Sequence, residues 1–257
     1  MVGAGAVVPG GQNVPKKQLR KSAKTKWKKG QCVFCGRKRQ VTREHTPPKC
    51  VFPEPRPSNL ITVPACRECN SASSKDDEYF RLVLTLRDDI HRIPLVKEKL
   101  WPKVRRSLQK ETKRGLQSSL FHSICHVPVF TESGIYVGRK RGYHVDERRL
   151  ERTVEHTVKG LFYHLQKRRL PNSSGVSVVC ESRFSAMPKD ARDHIVGIAR
   201  AIWESDGIGA TIGDNVFSYK VAFFSEDQNA SAWLINFFKR VSFIAITLSE
   251  HNMPEPR

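Results

Sequence analysis

Acidic residues are scarce in this sequence. Twenty-five Asp and Glu stand against 45 Lys and Arg in 257 residues, giving a formal net charge of +20 and an isoelectric point near 10.0. That imbalance points to a polyanionic partner, either nucleic acid or an anionic membrane surface. Long apolar runs are missing too. None approaches the roughly 18 residues a spanning helix needs, which excludes a transmembrane protein. Residues 122–257 show no internal repeat, no glycine-rich phosphate loop and no second catalytic set. The start, Met1 to Val8, lacks a basic segment and a proper apolar stretch, so no secretory signal is expected. Seven cysteines without such a leader argue against a secreted disulfide scaffold and for a cytoplasmic location. At 39% hydrophobic and 27% charged, the composition is that of a soluble globular protein with a real core.

The positive charge is concentrated. Residues 1–50 hold 13 Lys/Arg and a single acid, Glu44, so +12 of the excess lies there. Lys16 to Lys29 is almost free of apolar residues and is expected to be a disordered basic arm over 1–29. A second excess runs from Lys97 to Arg114. Cations beside a folded module track phosphates because each contact releases counterions; the competing view is a solvated helix face.

Four of the cysteines form two pairs, Cys32-Val-Phe-Cys35 and Cys66-Arg-Glu-Cys69, with 30 residues between them. The two-residue gap lets both thiolates of a knuckle reach one ion, and two knuckles complete a closed tetrahedral zinc site. Gly36 suits the tight turn of such a knuckle. A redox pair would need a thioredoxin-like context, which is absent. Cys50, Cys125 and Cys180 have no partner at ligand spacing and are expected to be ordinary thiols.

Between the knuckles, Val41 to His45 is expected as a short strand ended by Thr46-Pro47-Pro48, leaving His45 at the strand end. A proline-rich loop follows. Asn59 to Val63 is expected as the returning strand and Cys69 onward as a helix.

This segment, about Gln31 to Asp77, resembles the HNH endonucleases, the ββα-metal nucleases, in their four-cysteine, zinc-stabilised form. The likeness rests on Cys32/Cys35, the acid-histidine pair Glu44-His45, Asn59-Leu60, and Cys66-x-x-Cys69-Asn70. Glu44 stands where the family often has Asp. The resemblance implies His45 as general base, Glu44 and Asn70 as oxygen ligands of one Mg2+ or Mn2+, and Asn59 as a buttress for the loop bearing His45. An unperturbed imidazole titrates near neutral pH, which suits proton abstraction. Adjacent strand residues point to opposite faces, so Glu44 and His45 can serve different tasks. Arg43, Lys49, Arg67 and Lys75 are candidate nucleic-acid contacts.

Downstream, Tyr79 to Leu86 recurs at helical spacing, and a longer basic helix is expected from Val96 to about Leu120. Strands are expected at Ile124–Phe130 and Ile135–Val137. An amphipathic helix follows, capped by Asp146 and carrying Leu150, Val154, Val158, Leu161, Phe162 and Leu165 on one stripe. Val176–Cys180 reads as a strand, Pro188 opens a helix, and Val216–Phe224, Ala232–Phe238 and Val241–Leu248 alternate like sheet. His122, His126, His144, His156 and His164 are scattered and read as surface or core residues.

The expected class is therefore α+β, divided into an arm (1–29), a zinc finger (30–78), a basic helical segment (79–121) and an α+β domain with a mostly antiparallel sheet (122–257). The expected function is a metal-dependent endonuclease acting on nucleic acid, with DNA the likelier polyanion on family grounds. The alternatives are a non-catalytic zinc module that binds nucleic acid and, last, a protein of acidic membrane surfaces.

Overall fold

Strand pairing starts at the end of the basic arm. A computed structural model describes residues 28–250, so the arm up to residue 27 lies outside the described residues. Lys28 and Lys29, expected to close the arm, instead open β1 (Lys28–Gln31). β1 pairs antiparallel with β2 (Lys38–His45), which pairs antiparallel with β3 (Thr62–Cys66). β3 begins later than expected and runs through Pro64. Pro is tolerated there because β3 is the edge of this three-stranded sheet, where a missing N–H breaks no ladder.

The long helix α1 (Arg67–Leu86) follows at once, with Cys66 in the N-cap position. It starts two residues before the expected Cys69, so Asn70 lies inside the first turns and is not the cap. α1 has two faces with different work. Tyr79, Phe80, Leu82, Val83 and Leu84 are buried in the core, while Asn70 and Asp77 face the finger sheet.

The expected long basic helix is broken. After α2 (Asp88–His91), Val96–Leu100 winds as a π-turn into α3 (Trp101–Leu108), and a single 3-10 turn leads to α4 (Arg114–His122). Between Leu108 and Leu116 there is no apolar residue to continue a buried stripe, so nothing holds this stretch in one helix. β4 (Ile124–Phe130) and β5 (Tyr136–Tyr143) form a separate antiparallel ribbon, longer on its second strand than expected.

α5 (Glu147–Gln166) matches the expected amphipathic helix. Asp146 caps it by accepting from the Arg149 N–H, and Leu150, Val154, Val158, Leu161 and Phe162 are buried. β6 (Gly175–Val179), α6 (Glu181–Ala186), α7 (Lys189–Glu204) and β7 (Ile208–Ile212) precede three long strands, β8 (Phe217–Phe223), β9 (Ser231–Phe237) and β10 (Val241–Leu248). Neither α6 nor β7 was expected. The five strands form one antiparallel sheet in the order β6-β10-β9-β8-β7. The mixed architecture with antiparallel sheets agrees with the expected α+β class. No helix among the described residues is long and apolar enough to cross a membrane.

One apolar core links the parts. Val51 and Phe52, from the loop after β2, share it with Phe80, with Val158 and Phe162 of α5, and with Trp233, Phe237 and Phe243 of the large sheet. The α1–α5 seam is fastened by ions as well. Arg149 and Arg152 grip Asp76 at 2.8 and 2.6 Å, and the Arg149 guanidinium lies 4.1 Å over the Tyr79 ring.

Candidate metal centre and adjoining cleft

The two knuckles meet. Cys32 and Cys35 sit in the turn between β1 and β2, while Cys66 ends β3 and Cys69 lies on the first turn of α1. Their four sulfurs lie within 4.8 Å of one another, and Cys35 Sγ and Cys66 Sγ are 3.8 Å apart. Four thiolates about 2.3 Å from one tetrahedral zinc stand about 3.8 Å apart, so the cluster fits a metal such as zinc. Burial pushes the Cys32 thiol up, but backbone N–H donors of Cys35, Cys66 and Phe34 outweigh it and bring the group down to about 7. Burial and the neighbouring sulfurs push Cys69 up. In such a set a cation must complete the deprotonation of all four.

The first knuckle is also held from outside. Gly36 closes its turn at φ +73°, donating to Cys32 O at 2.9 Å. A Cβ there would stand 2.8 Å from the Arg169 guanidinium. Arg169 Nε donates to Val33 O at 3.4 Å and Asn172 Nδ2 to Cys35 O at 3.5 Å. His156 of α5 stacks on Phe34 with ring centroids 3.6 Å apart, and burial and Lys159 bring its imidazole down to about 4. This packing role agrees with its reading as an ordinary histidine.

Beside the knuckles, a cleft of about 340 Å3 opens between β2 and α1. Arg43, Glu44, His45, Lys49 and Asn70 line it together with Cys50, Ser74, Asp77, Glu78, Arg81 and Lys113. Glu44 and Thr42 share a strand face, and Asn70 Nδ2 donates to Thr42 Oγ1 at 3.2 Å, leaving Asn70 Oδ1 unbonded among the described residues. The Glu44 side chain is nearly out of solvent, at 7% exposure. Burial, then repulsion from Asp77, pushes its carboxyl up to about 7, with Lys49 working against the rise. His45 ends β2 half-buried. Burial, then Lys49 and Arg56, holds its imidazole below the usual value, so the neutral form prevails at neutral pH.

The residue after it is anchored by α5. Thr46, 1% exposed, donates through Oγ1 to Thr157 O at 3.0 Å, and the absent side chain of Gly160 makes room for it.

Not every expected site residue comes to the cleft. Asn59 is exposed in the turn before β3, where it lines a different cavity with Thr211, Asp214 and Asn215 of the β7–β8 corner, and its side chain makes no hydrogen bond among the described residues. Arg67 and Lys75 are exposed on α1 away from the cleft lining.

Three lining residues of α1, Asp77, Glu78 and Arg81, are not singled out by the sequence. Asp77, 9% exposed, is pushed up to about 7 by burial, opposed by the Ser73 hydroxyl and aided by Asp76. Its Oδ1 has no hydrogen-bond partner among the described residues. Glu78 pairs with Lys113 and, at 3.8 Å, with Arg81, whose own Nε is buried and unbonded. Their signal was only helical spacing from Asn70, at seven, eight and eleven residues onward. Burial pushes the Cys50 thiol up to about 12, and it donates to Asp77 O at 3.4 Å.

No protein-family model matches this chain, and comparison with curated proteins and with solved structures returns no match.

Proposed function

We propose that the chain is a metal-dependent HNH endonuclease that hydrolyses phosphodiester bonds in nucleic acid, with DNA as the substrate. One observation carries this reading: His45, Glu44 and Asn70, brought from a strand and a helix, line one open cleft beside a four-cysteine cluster. Structural zinc at Cys32, Cys35, Cys66 and Cys69 fixes the strand–helix corner on which they stand.

Within the cleft the groups divide the work by their chemistry. His45, neutral at pH 7, accepts a proton from the attacking water. Lys49, Arg43 and the unbonded Arg81 Nε–H supply positive charge where a phosphate would lie. Glu44 and the Asn70 Oδ1 are hard oxygen ligands suited to Mg2+ or Mn2+. A divalent ion held there supplies Lewis-acid polarisation of the phosphate and stabilises the departing alkoxide. Nothing in the geometry gives Asn59 a part in this.

Plasmid nicking with Mg2+ and Mn2+, comparing wild type with His45→Ala, tests the reading. Nicking by wild type and its loss by at least about a hundredfold in the variant are expected for a general base. Equal nicking by both removes His45 from the chemistry. No cleavage by zinc-loaded wild type with any divalent ion leaves the alternative, a zinc module that only binds nucleic acid.

A further inference from the structure

Three consecutive acids on α1, Asp76, Asp77 and Glu78, meet different fates. Asp76 is held by Arg149 and Arg152, and Glu78 by Lys113 and Arg81. Asp77, between them, is buried, and among the described residues it has no ion pair and keeps Oδ1 without a hydrogen-bond partner. Across the cleft Glu44 is also buried, and among the described residues it is in no ion pair or side-chain hydrogen bond and no hydrogen bond joins the two acids. Two buried carboxylates lining one cavity without a paired cation cost several kcal/mol by desolvation and repulsion, and Lys49 on the cleft wall offsets only part of it, since the Glu44 carboxyl is still pushed up. Asp76 and Glu78 receive direct ion pairs, whereas the cations that line this cleft, Arg43, Lys49, Arg81 and Lys113, make none with Asp77 or Glu44 among the described residues.

We infer that Asp77 joins Glu44 in a two-carboxylate seat for the divalent cation of the cleft. One such ion between the two carboxylates would pair with both. Hard divalent cations of this class take oxygen ligands and are commonly held by one or two carboxylates with water. The cleft volume of about 340 Å3 leaves space for that water and for a phosphate. Asn70 lies two helical turns before Asp77 on the same face, so Glu44 and Asp77 provide the charge while the neutral Asn70 Oδ1 adds at most a weaker contact. The inference rests on the endonuclease reading for the identity of the ion but not for its ligands.

The test is Mn2+ binding to the full, zinc-loaded chain, followed by electron paramagnetic resonance and by the Mn2+-induced rise in melting temperature. Wild type and His45→Ala should bind one Mn2+ with similar affinity. Asp77→Asn and Glu44→Gln, which keep shape and remove charge, should each weaken it by about 10- to 100-fold. Both variants should retain one zinc per chain and fold, since each removes an uncompensated buried charge. Asp77→Asn binding Mn2+ within twofold of wild type overturns the seat, whether or not wild type cuts DNA. Wild type that binds Mn2+ through Asp77 and Glu44 but cleaves nothing keeps the seat and overturns the nuclease reading. Wild type that binds no Mn2+ overturns the seat.

Discussion

Replacing Gly160 by alanine is the sharpest probe of how the cleft is supported. An added Cβ would lie 2.6 Å from Thr46 Oγ1, 2.9 Å from Thr46 Cβ and 3.0 Å from its Cγ2. These atoms belong to a short, β-branched side chain that is 1% exposed and hydrogen-bonded to Thr157 O, so it cannot swing aside without leaving that bond. Overpacking of this kind costs about 1–3 kcal/mol, and the broken hydrogen bond about 1 kcal/mol more. Alanine for glycine inside a helix returns about 1 kcal/mol. The net expectation is a loss of about 1–3 kcal/mol, a fall in melting temperature of about 2–4 °C per kcal/mol for a chain of this size. Gly197, exposed on α7 with nothing within 4 Å of an added Cβ, is the internal standard. There the same substitution should raise stability by about 0.5–1 kcal/mol. Scanning calorimetry of both variants at one pH checks the contrast, and cleavage by Gly160→Ala should fall at least about tenfold because Thr46 follows His45 directly. If Gly160→Ala gains as much stability as Gly197→Ala, the close approach of α5 to Thr46 is refuted.

Two further outcomes are expected. Zinc content of the purified chain should be one per molecule and should fall toward zero in Cys66→Ser/Cys69→Ser, measured by plasma mass spectrometry; an unchanged content removes the four-cysteine site. In zinc-loaded protein without added magnesium, Asp77 and Glu44 both titrate near 7 in the folded state, above their unfolded values. Their protonated forms therefore stabilise the fold at pH 4 and below, and that contribution is lost as pH rises through about 7. Melting temperature should drop between pH 5 and pH 8 in wild type, with a shallower drop in Asp77→Asn; equal slopes refute the assignment.

What was legible in the sequence was local. The knuckle spacing, the strand end at His45 and the apolar stripe of α5 are set by neighbours within one or two turns, and each stands where expected. The strand expected to end at Val63 runs on through Pro64 to Cys66, which an edge strand permits because a proline there removes no ladder hydrogen bond. Asp77 was invisible for a different reason. Asp76-Asp77-Glu78 reads as three equivalent acids on a solvated helix, and only the arginines of α5 and the lysine before α4 decide which two are neutralised. The same applies to Gly160, whose partner Thr46 is more than a hundred residues earlier. The basic stretch after Val96 failed as one helix because charge, unlike a buried stripe, does not propagate a turn.

The hold of Arg169 and Asn172 on the carbonyls of Val33 and Cys35 makes the knuckle and the far half of the chain a linked pair. Coupling of this kind is reciprocal: whatever free energy those contacts lend to zinc binding, zinc must lend to the α5–β6 junction. If the four cysteines hold zinc as proposed, their affinity for it doubles as a gauge of the five-stranded sheet. A substitution deep among Trp233, Phe237 and Phe243 should register at the four cysteines, which lie outside that apolar core.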